Sequence, residues 1–313
     1  MVTVVTPSSA SSSTLLLQAA AAAAGAQRYP AGALYVVATP IGNLADLGLR
    51  AIHVLALVDA VACEDTRHTA RLLRHLGLDK PLLAVHEHNE REAAQAVLAR
   101  LARGERVAYV SDAGTPAVSD PGAALVAAAQ GAGHPTVPIP GASSALAALS
   151  VAGDAQAQGF GFVGFLPTRS AERAAALQAL GESAASQVVF EAPHRIQALA
   201  QALSEACGGR RVTLCRELTK QFETVATMPA AALPGWLAAD ANRLRGEFVL
   251  VIHAQSPGPA DDAPAAHDAL LKPLLAALPL KQAVAIAAEQ SGAARNALYA
   301  RALALKNEAA GGA

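Results

Sequence analysis

The chain has 313 residues, a formal net charge of −1 at pH 7 and 53% hydrophobic residues, which predicts about two soluble globular domains. The mean hydropathy of +0.31 comes largely from alanine, and no uninterrupted apolar run reaches the roughly 18 residues that a membrane-spanning helix needs. The balanced charge excludes a bulk basic field that attracts nucleic acid, so any contact with RNA must come from local patches. The three cysteines form no CxxC pair, so we expect buried or free thiols and no metal.

The N-terminus is Ser/Thr-rich and then alanine-rich, and its first basic residue is Arg28. A signal peptide has basic residues before its apolar segment, so this order argues against secretion and favours the cytoplasm. We predict that residues 1–31 are a disordered or fraying helical extension outside the fold.

Residues 32–153 alternate between strand-like and helix-like stretches. The runs LYVVA, AVAC, LLAVH, RVAYV and TVPI predict strands, and the stretches between them predict helices, with Asp46 and Asp120 as N-caps and Pro121 in a first helical turn. This alternation predicts an α/β domain with a mostly parallel sheet covered by helices.

Residues 154–254 predict a second α/β domain. Strands are expected at 160–165, 187–191, 211–218, 222–228 and 247–253, with helices near 170–181, 193–206 and 230–240. The short separation of the third and fourth strands predicts an antiparallel pair and therefore a mixed sheet.

The C-terminal part begins with a Pro/Ala/Asp-rich stretch, residues 255–266, which predicts a linker. Residues 267–308 predict a small helical domain in which a break near Ser291 and Gly292 separates two helices. The pattern fits a helix-turn-helix and an ordinary helical hairpin equally well.

Four polar, Gly- and Pro-containing motifs follow predicted strands of the first domain. They are TPIGNLAD (39–46), EDTRHT (64–69), SDAGTPAVSDPG (111–122) and PGASSA (140–145). Each alone is typical of a turn and a helix cap, but ligands collect at the carboxyl ends of parallel strands, so four together favour a ligand site. The sequence has no GxGxxG, P-loop, HExxH or GxSxG motif. The residues themselves therefore indicate a cofactor-binding α/β enzyme and go no further.

The ordered motifs resemble a known family. TPIGNLADLGLRA, ACEDTRHTARLL, VSDAGTPAVSDPG, PGASSALAAL, GFLP, FEAPHRI, RELTKQFET and GEFVLVI together resemble the tetrapyrrole-methylase type of S-adenosylmethionine (SAM) methyltransferases. Within that superfamily they resemble the small-subunit ribosomal RNA methyltransferase I branch. The chain departs from the branch at Phe190, where a tyrosine is usual, at Ser144, where alanine is more common, and in its long N-terminal extension.

The resemblance implies two α/β domains with SAM in the cleft between them, followed by a helix-turn-helix-like extension. It implies 2′-O-methylation of a cytidine ribose in the decoding region of 16S rRNA within the 30S subunit, by a cytoplasmic homodimer. The cofactor-binding residues that it implies are Gly42, Asp112, Ala113, Gly114, Thr115 and Ser143.

The resemblance also assigns roles toward the RNA. Candidate catalytic residues are Lys220, Glu191 and Glu64, with Lys220 preferred for assisting deprotonation or for holding a phosphate. Candidate RNA-binding residues are Arg67, His194, Arg195 and Arg216, and Arg67 is preferred over Arg71 and Arg74 on the same predicted helix. Lys281, Arg295 and Arg301 make the C-terminal helices mildly basic, which favours a second RNA contact.

Two other functions stay open at this point. The same fold acts on tetrapyrroles as a C-methyltransferase, and a non-catalytic ribosome-binding factor can retain such a fold. The intact SDAGTPAVSDP motif argues against loss of SAM binding. A dehydrogenase is disfavoured because the GxGxxG motif is missing.

Overall fold

The computed structural model describes residues 12–86, 90–255, 267–291 and 293–310. The chain divides into two compact units, residues 1–254 and residues 255–313. The predicted linker, apart from Gln255, lies outside the described residues, as does Gly292 of the predicted helix break.

The first sheet is parallel, as the alternating pattern predicts. Its strands are β1 (Leu34–Val37), β2 (Ala60–Cys63), β3 (Leu82–Ala84), β4 (Val107–Val110) and β5 (Thr136–Ile139). The order in space is β3-β2-β4-β1-β5, so β1 and β4 are neighbours although they lie far apart in the sequence. β2 and β4 are buried along their whole length, which is the apolar pattern of a sheet covered on both faces.

In the described part of this domain, six α-helices accompany these strands, one before β1 and one after each of the five strands. They are α1 (Ser12–Ala24), α2 (Leu49–Leu57), α3 (Thr66–His75), α4 (Glu90–Ala102), α5 (Ala123–Gly131) and α6 (Ser144–Ala152). Two buried clusters, one around Tyr35 and Leu55 and the other around Tyr109 and Leu125, form the core that these helices share with the sheet.

The second sheet is mixed, as predicted. Its strands are β6 (Phe160–Phe165), β7 (Ser186–Glu191), β8 (Arg211–Arg216), β9 (Thr224–Pro229) and β10 (Phe248–Ile252), in the order β6-β7-β10-β8-β9. β6 and β7 are parallel, and the remaining pairs are antiparallel, including the predicted β8–β9 pair. Its helices are α7 (Ser170–Glu182), α8 (Ile196–Cys207) and α9 (Leu233–Ala238).

Helix α6 joins the two sheets. It belongs to the first α/β domain, but its small side chains Ala145, Ala148 and Ala152 share a buried cluster with Val249 and Val251 of β10. Alanines allow the helix backbone to approach the sheet closely, so this shared core fixes the position of one α/β domain against the other.

The predicted boundary at residues 153–154 is held by a buried carboxylate. Asp154 accepts hydrogen bonds from the Ser186 hydroxyl at 2.7 Å and from the backbone N–H of Ala254 at 2.6 Å. The residue that begins the second α/β domain therefore also binds the residue that ends it, which closes this domain on itself.

The N-terminal expectation is wrong for the part of the extension that the structure describes. Residues 12–24 form α1, and its side chains Leu16, Leu17 and Ala20 pack into the same core as Val54 and Leu55 of α2. Ala20 is fully buried, because alanine on one face allows close approach of two helices. Residues 1–11 lie outside the described part of the chain.

The predicted N-cap at Asp46 is also wrong. Asp46 ends a short 3₁₀ turn that begins at Leu44, and the Asn43 side chain accepts the N–H of Ala45 there. Helix α2 begins three residues later, after Gly48.

The predicted helix start at Asp120 and Pro121 is likewise wrong. Helix α5 begins after Gly122, whose φ is +121°. A Cβ at this position would lie 2.1 Å from the Tyr109 ring, and the Tyr109 hydroxyl donates a hydrogen bond to the Pro121 carbonyl. Contact with the tyrosine therefore requires glycine here, and Asp120 does not cap the helix but has a side-chain hydrogen bond with Ser111.

The second unit has its own core. Its helices are α10 (Asp268–Ala277), α11 (Leu280–Ser291) and α12 (Arg295–Ala310), and Leu271, Ala287 and Leu298 are buried among them. The last two helices and the break between them agree with the sequence pattern.

Arg301, which the sequence counts among the basic residues that favour a second RNA contact, is engaged inside the C-terminal unit. Its guanidinium donates to both carboxylate oxygens of Asp268, at 2.7 and 2.6 Å, and its side chain is only 18% exposed. Its hydrogen bonds also lower the pKa of Asp268. Arg301 therefore holds α12 to α10 instead of facing solvent.

Within the described residues, no helix combines the length and the apolar character needed to cross a membrane.

Because α1 packs on α2, the effect of a substitution in α1 on stability should depend on whether the position is buried or exposed. Ala20→Arg places a charged side chain in a fully buried site, and we expect it to lower the free energy of unfolding by about 2–4 kcal/mol. Ala22→Arg makes the same change at an exposed position of α1 and should alter stability by less than about 0.5 kcal/mol. Urea denaturation of both variants measures this, and equal stabilities would show that α1 does not pack on α2.

Candidate functional site

Two loops at the carboxyl ends of neighbouring strands are bonded to each other. Thr39 follows β1 and Gly114 follows β4, and each donates its N–H to the carbonyl of the other, at 2.9 and 3.1 Å. The Thr39 hydroxyl also donates to the Ser111 carbonyl at 3.1 Å. Gly114 has a φ of +85°, a conformation that glycine adopts without strain.

A third loop joins this pair. The Thr115 hydroxyl donates to the carbonyl of Ala142, at 3.1 Å, in the PGASSA segment after β5. Ser143 is the N-cap of α6, and its hydroxyl accepts the N–H of Leu146. Three of the four predicted motifs are thus brought together in one rigid assembly beside the second sheet.

The loops border two adjoining cavities. The first, which we call the Phe190 chamber, has a volume of about 330 Å³. It is lined by Ile41, Ala113–Thr115, Val118–Asp120, Ser143–Ala145, Phe165, Phe190–Pro193, Leu218 and Glu247–Val249. Phe190 lies edge-on to both Phe162 and Phe165, so the residue that replaces the usual tyrosine belongs to an apolar wall.

The second cavity, which we call the His68 chamber, has a volume of about 450 Å³. It is lined by Thr39–Gly42, Leu44, His68, Thr69, Arg71, Leu72, Ser111–Ala113, Lys220 and Glu247. Ile41, Ala113 and Glu247 line both chambers, so these residues form a common wall.

The predicted cofactor-binding residues divide between the two chambers. Gly114, Thr115 and Ser143 line the Phe190 chamber, Ala113 lines both, and Gly42 and Asp112 line the His68 chamber. They are neighbours, but they do not surround a single cavity.

Gly42 makes room for a side chain of the second α/β domain. A Cβ at Gly42 would lie 2.5 Å from Cγ of Lys220 and 3.0 Å from the Leu218 carbonyl oxygen. The sequence predicted that this glycine makes room for a ligand, but Lys220 fills the space.

Lys220 is a fixed cation. Its ammonium lies 3.0 Å from Oε1 of Glu217 and 2.9 Å from Oε2 of Glu247. Burial acts to lower the pKa of Lys220, but the two carboxylates outweigh it and raise this pKa above the ordinary value of lysine. A lysine that stays protonated is unable to accept a proton, so the geometry opposes a base and leaves the role of holding negative charge.

The turn that carries Lys220 has an unusual backbone. Glu217 and Thr219 have φ values of +53° and +66°, which cost about 1–2 kcal/mol each outside glycine. The Glu217 carboxylate offsets this by accepting the backbone N–H of Glu247 at 2.9 Å as well as the Lys220 ammonium. Strain of this kind collects at functional sites.

The side chain of Glu191 stabilises the fold through a buried ion pair. Its carboxylate is fully buried and lies 3.0 Å from Nε of Arg195 and 3.9 Å from Arg173. Arg195 also donates to the Leu166 carbonyl at 2.8 Å. The structure therefore opposes the predicted catalytic role of Glu191 and the predicted RNA contact of Arg195, since both side chains are committed to one buried ion pair.

Glu64 and Asp120 are half-buried carboxyls close to Asp112. Burial is the main cause that raises the pKa of each, and the nearby Asp112 charge raises both further. Asp120 lines the Phe190 chamber, whereas Glu64 lines neither chamber. The predicted catalytic role of Glu64 has no support from its position.

Asp65, Arg67, His68 and Asp112 form a charged network at the start of α3. Asp65 is the N-cap of the helix and binds the Arg67 guanidinium at 2.6 Å, and these hydrogen bonds hold the pKa of Asp65 well below its usual range. The Asp112 carboxylate accepts the Asp65 N–H at 3.1 Å and lies 3.3 Å from Nδ1 of His68. Ligand atoms of Asp65, His68 and Asp112 lie within 4.8 Å of one another, but Arg67 already neutralises Asp65, so we interpret the group as ion pairs.

The predicted RNA-binding side chains are scattered. Arg67 is 88% exposed but tied to Asp65, His194 is exposed before α8, and Arg216 is half-buried near the Phe222 carbonyl. Arg71, which the sequence ranked below Arg67, lines the His68 chamber, and the structure gives its guanidinium no ion pair among the described residues.

Sequence reasoning missed His68, which lines the His68 chamber. The signal was present, because a histidine in the first turn of a helix after a parallel strand lies at the ligand-binding edge of the sheet. Its partner Asp112 is 44 residues away in the sequence, and only the β2–β4 pairing brings the two together.

Comparisons with known proteins agree with this architecture. A family model for Tetrapyrrole (Corrin/Porphyrin) Methylases matches residues 33–234, and a model for the RsmI C-terminal HTH domain matches residues 261–306. The chain is 48% identical over 275 residues to "Ribosomal RNA small subunit methyltransferase I" of Pseudomonas aeruginosa, covering 87% of this chain and 97% of the relative. It is 46% identical over 277 residues to the protein of the same name in Neisseria meningitidis serogroup A, covering 88% and 95%.

A solved structure shows the same fold. Uroporphyrin-III C-methyl transferase from Thermus thermophilus, complexed with S-adenyl homocysteine, superposes with a TM-score of 0.50 at 17% identity. The superposition covers 70% of this chain and 96% of the other.

The close contact of Gly42 with Lys220 predicts a coupling between the two positions. Gly42→Ala should lower the free energy of unfolding by about 1–3 kcal/mol, because the new methyl group overlaps the lysine side chain. Lys220→Ala removes that overlap, so in the double variant Gly42→Ala should cost at least about 1 kcal/mol less. Gly48→Ala, where a Cβ meets open space, is the matched control in urea denaturation. Additive effects in the double-mutant cycle would contradict the contact.

Proposed function

The chain belongs to the tetrapyrrole methylase family and, within it, to the ribosomal RNA small subunit methyltransferases I, and from this we propose that it methylates small-subunit rRNA with SAM. The finer proposal is transfer to the 2′-hydroxyl of a cytidine ribose in the decoding region of 16S rRNA, within the 30S subunit. This detail rests on the resemblance of the sequence motifs, while the names of the close relatives support rRNA of the small subunit as the substrate class.

The main structural support for this proposal is the pair of adjoining chambers. A methyltransferase must hold a donor and an acceptor side by side, with the methyl group between them. The Phe190 and His68 chambers share Ile41, Ala113 and Glu247, so one can hold the cofactor and the other the ribose. We assign the Phe190 chamber to SAM and the His68 chamber to the nucleotide.

The Phe190 chamber fits SAM by its chemistry. The hydroxyls of Ser119, Ser143 and Ser144 offer hydrogen bonds, the rings of Phe165 and Phe190 offer apolar contact, and the Asp120 carboxylate offers negative charge to a cation. The N-terminus of α6 favours a carboxylate. SAM, when bound, supplies its methyl group as an activated sulfonium, so positioning by these residues is the main requirement.

The His68 chamber fits a ribose and its phosphate. Arg71 and Lys220 both line it, and Lys220 is held as an ammonium by Glu217 and Glu247. A fixed cation stabilises negative charge that develops on an attacking oxygen or rests on a phosphate. Of the two roles that the sequence suggests for Lys220, the geometry supports holding a phosphate and not assisting deprotonation.

A tetrapyrrole C-methyltransferase of the same fold is the second candidate function. The C-terminal helical unit favours RNA over a tetrapyrrole, because the added unit provides contact area for a macromolecule, and a helix-turn-helix family model matches it.

We also propose a homodimer in the cytoplasm, which the family resemblance implies. Sedimentation velocity at micromolar concentration measures the oligomeric state directly, and a monomer would contradict that part of the proposal.

The deciding measurement is transfer of radiolabel from SAM to purified 30S subunits that lack 2′-O-methylation, with naked 16S rRNA and a tetrapyrrole as parallel substrates. We expect label on a decoding-region cytidine ribose, located by mapping of the modified nucleotide. Lys220→Ala should lower the single-turnover rate by about 10²-fold or more, since a preorganised charge is lost. Lys80→Ala, a lysine that donates to the Ala56 and Val58 carbonyls away from the chambers, is the control and should transfer at the normal rate if it folds.

The alternatives give different results. Label on the tetrapyrrole alone would identify a C-methyltransferase, and SAM binding without label on any substrate would support a non-catalytic factor. Absence of SAM binding by calorimetry would contradict the methyltransferase proposal as a whole.

A further inference from the structure

His68 lies in the first turn of α3 and lines the chamber that we assign to the ribose. Its side chain is 60% exposed, so the ring faces open space in the absence of RNA. Histidine is the commonest general base in enzymes, because its charge changes near neutral pH.

Asp112 lies beside one nitrogen of the His68 ring. Oδ2 of Asp112 lies 3.3 Å from Nδ1 of His68, while Oδ1 accepts the Asp65 N–H at 3.1 Å. The carboxylate is therefore anchored to the backbone beyond β2 and is unable to follow the ring. A proton on Nδ1 satisfies this contact, which leaves the lone pair of Nε2 to accept a proton from a ligand.

We propose that His68 is the general base that deprotonates the attacking ribose hydroxyl, with Asp112 as the carboxylate that positions it. This deepens the proposed function and rests on it. The 2′-O–H proton passes to Nε2 of His68, the oxygen electron pair forms the O–CH₃ bond, and the electrons of the S–CH₃ bond remain on sulfur. The imidazolium then loses its proton to solvent after S-adenosylhomocysteine and the methylated RNA have formed.

The other candidate bases are less suitable. Lys220 is held protonated by two carboxylates, and Glu191 is consumed by its buried ion pair with Arg195. Asp65 is bound to Arg67, and Glu64 lines neither chamber. A carboxylate that is already neutralised by a cation is a weak proton acceptor.

Charged groups face His68 from three directions. Oδ2 of Asp65, the N-cap of α3, lies 4.0 Å from Nδ1, and Asp112 approaches from the end of β4. Arg71 on α3 and Lys220 and Glu247 from the second α/β domain line the same chamber. The nearest charges are thus carboxylates, which stabilise the imidazolium formed during the reaction.

The test compares His68→Ala and His68→Gln with His75→Ala, an exposed histidine at the end of the same helix. We measure single-turnover methyl transfer to unmethylated 30S subunits between pH 5.5 and 9, with SAM affinity by calorimetry. Both His68 variants should lose about 10²- to 10⁴-fold in rate, and the increase in rate with pH through the neutral range should disappear. SAM affinity should change less than about threefold, and His75→Ala should match the unmodified protein.

Two further readouts separate a base from a structural or RNA-contacting residue. Added imidazole should partly restore the rate of the His68→Ala variant. The restored rate should be proportional to the concentration of neutral imidazole. Asp112→Asn should also lower the single-turnover rate, because the His68 ring loses the carboxylate that lies 3.3 Å from its Nδ1.

Two outcomes would overturn the assignment. One is a rate within fivefold of normal for His68→Ala, and the other is a raised KM for 30S with an unchanged kcat and pH profile, which would make His68 an RNA contact only. Failure of the proposed function would look different, because the unmodified protein itself would bind SAM and label no ribose.

Discussion

The pair of backbone hydrogen bonds between Thr39 and Gly114 is the interaction on which the site depends. It joins loops from two strands that are far apart in sequence and become neighbours only through the order of the parallel sheet. Because the loops are tied at this point, Ile41 and Ala113 on either side of the bridge are fixed as the wall between the two chambers. A loop free to move would leave one open cleft, in which donor and acceptor would not be held in line.

Residues near the second sheet complete the same wall. Charged side chains hold them in place, in addition to apolar packing. Glu217 occupies a strained backbone conformation, and its carboxylate gathers the Lys220 ammonium and the Glu247 N–H. Lys220 in turn packs against Gly42 of the first α/β domain. The cation is thus held at the junction of both domains, and the shared cluster of α6 with β10 prevents that junction from drifting.

Strands, sheet types and the ligand-binding edge follow from the sequence, because each depends on local periodicity or on turn residues. The roles of individual charged side chains do not. Glu191, Arg195 and Arg301 have the chemistry of functional residues, yet each forms an ion pair within the protein. The partner of Arg301 lies 33 residues away in the sequence. Glu191 and Arg195 are only four residues apart, but their burial depends on the surrounding core, which the sequence does not show. Asp120 precedes Pro121 and Gly122 in the order of a helix cap, but the Tyr109 ring decides where the helix begins. The packing of helix α1 was missed for a similar reason, since poly-alanine indicates nothing about the α2 surface that the helix covers.

Exposure of the His68 chamber has a physical consequence for substrate choice. His68 and the carboxylate of Asp112 are separated by 3.3 Å with solvent on one side, a contact that is long for a charge-assisted hydrogen bond. RNA that covers the chamber removes this water, and lower polarity strengthens the attraction between imidazolium and carboxylate. In the role that we propose for it, His68 is therefore a stronger base beneath a substrate large enough to close the chamber. A small nucleoside would leave the chamber open to solvent, so the proposed role of His68 favours a macromolecular substrate that covers the chamber over a small one.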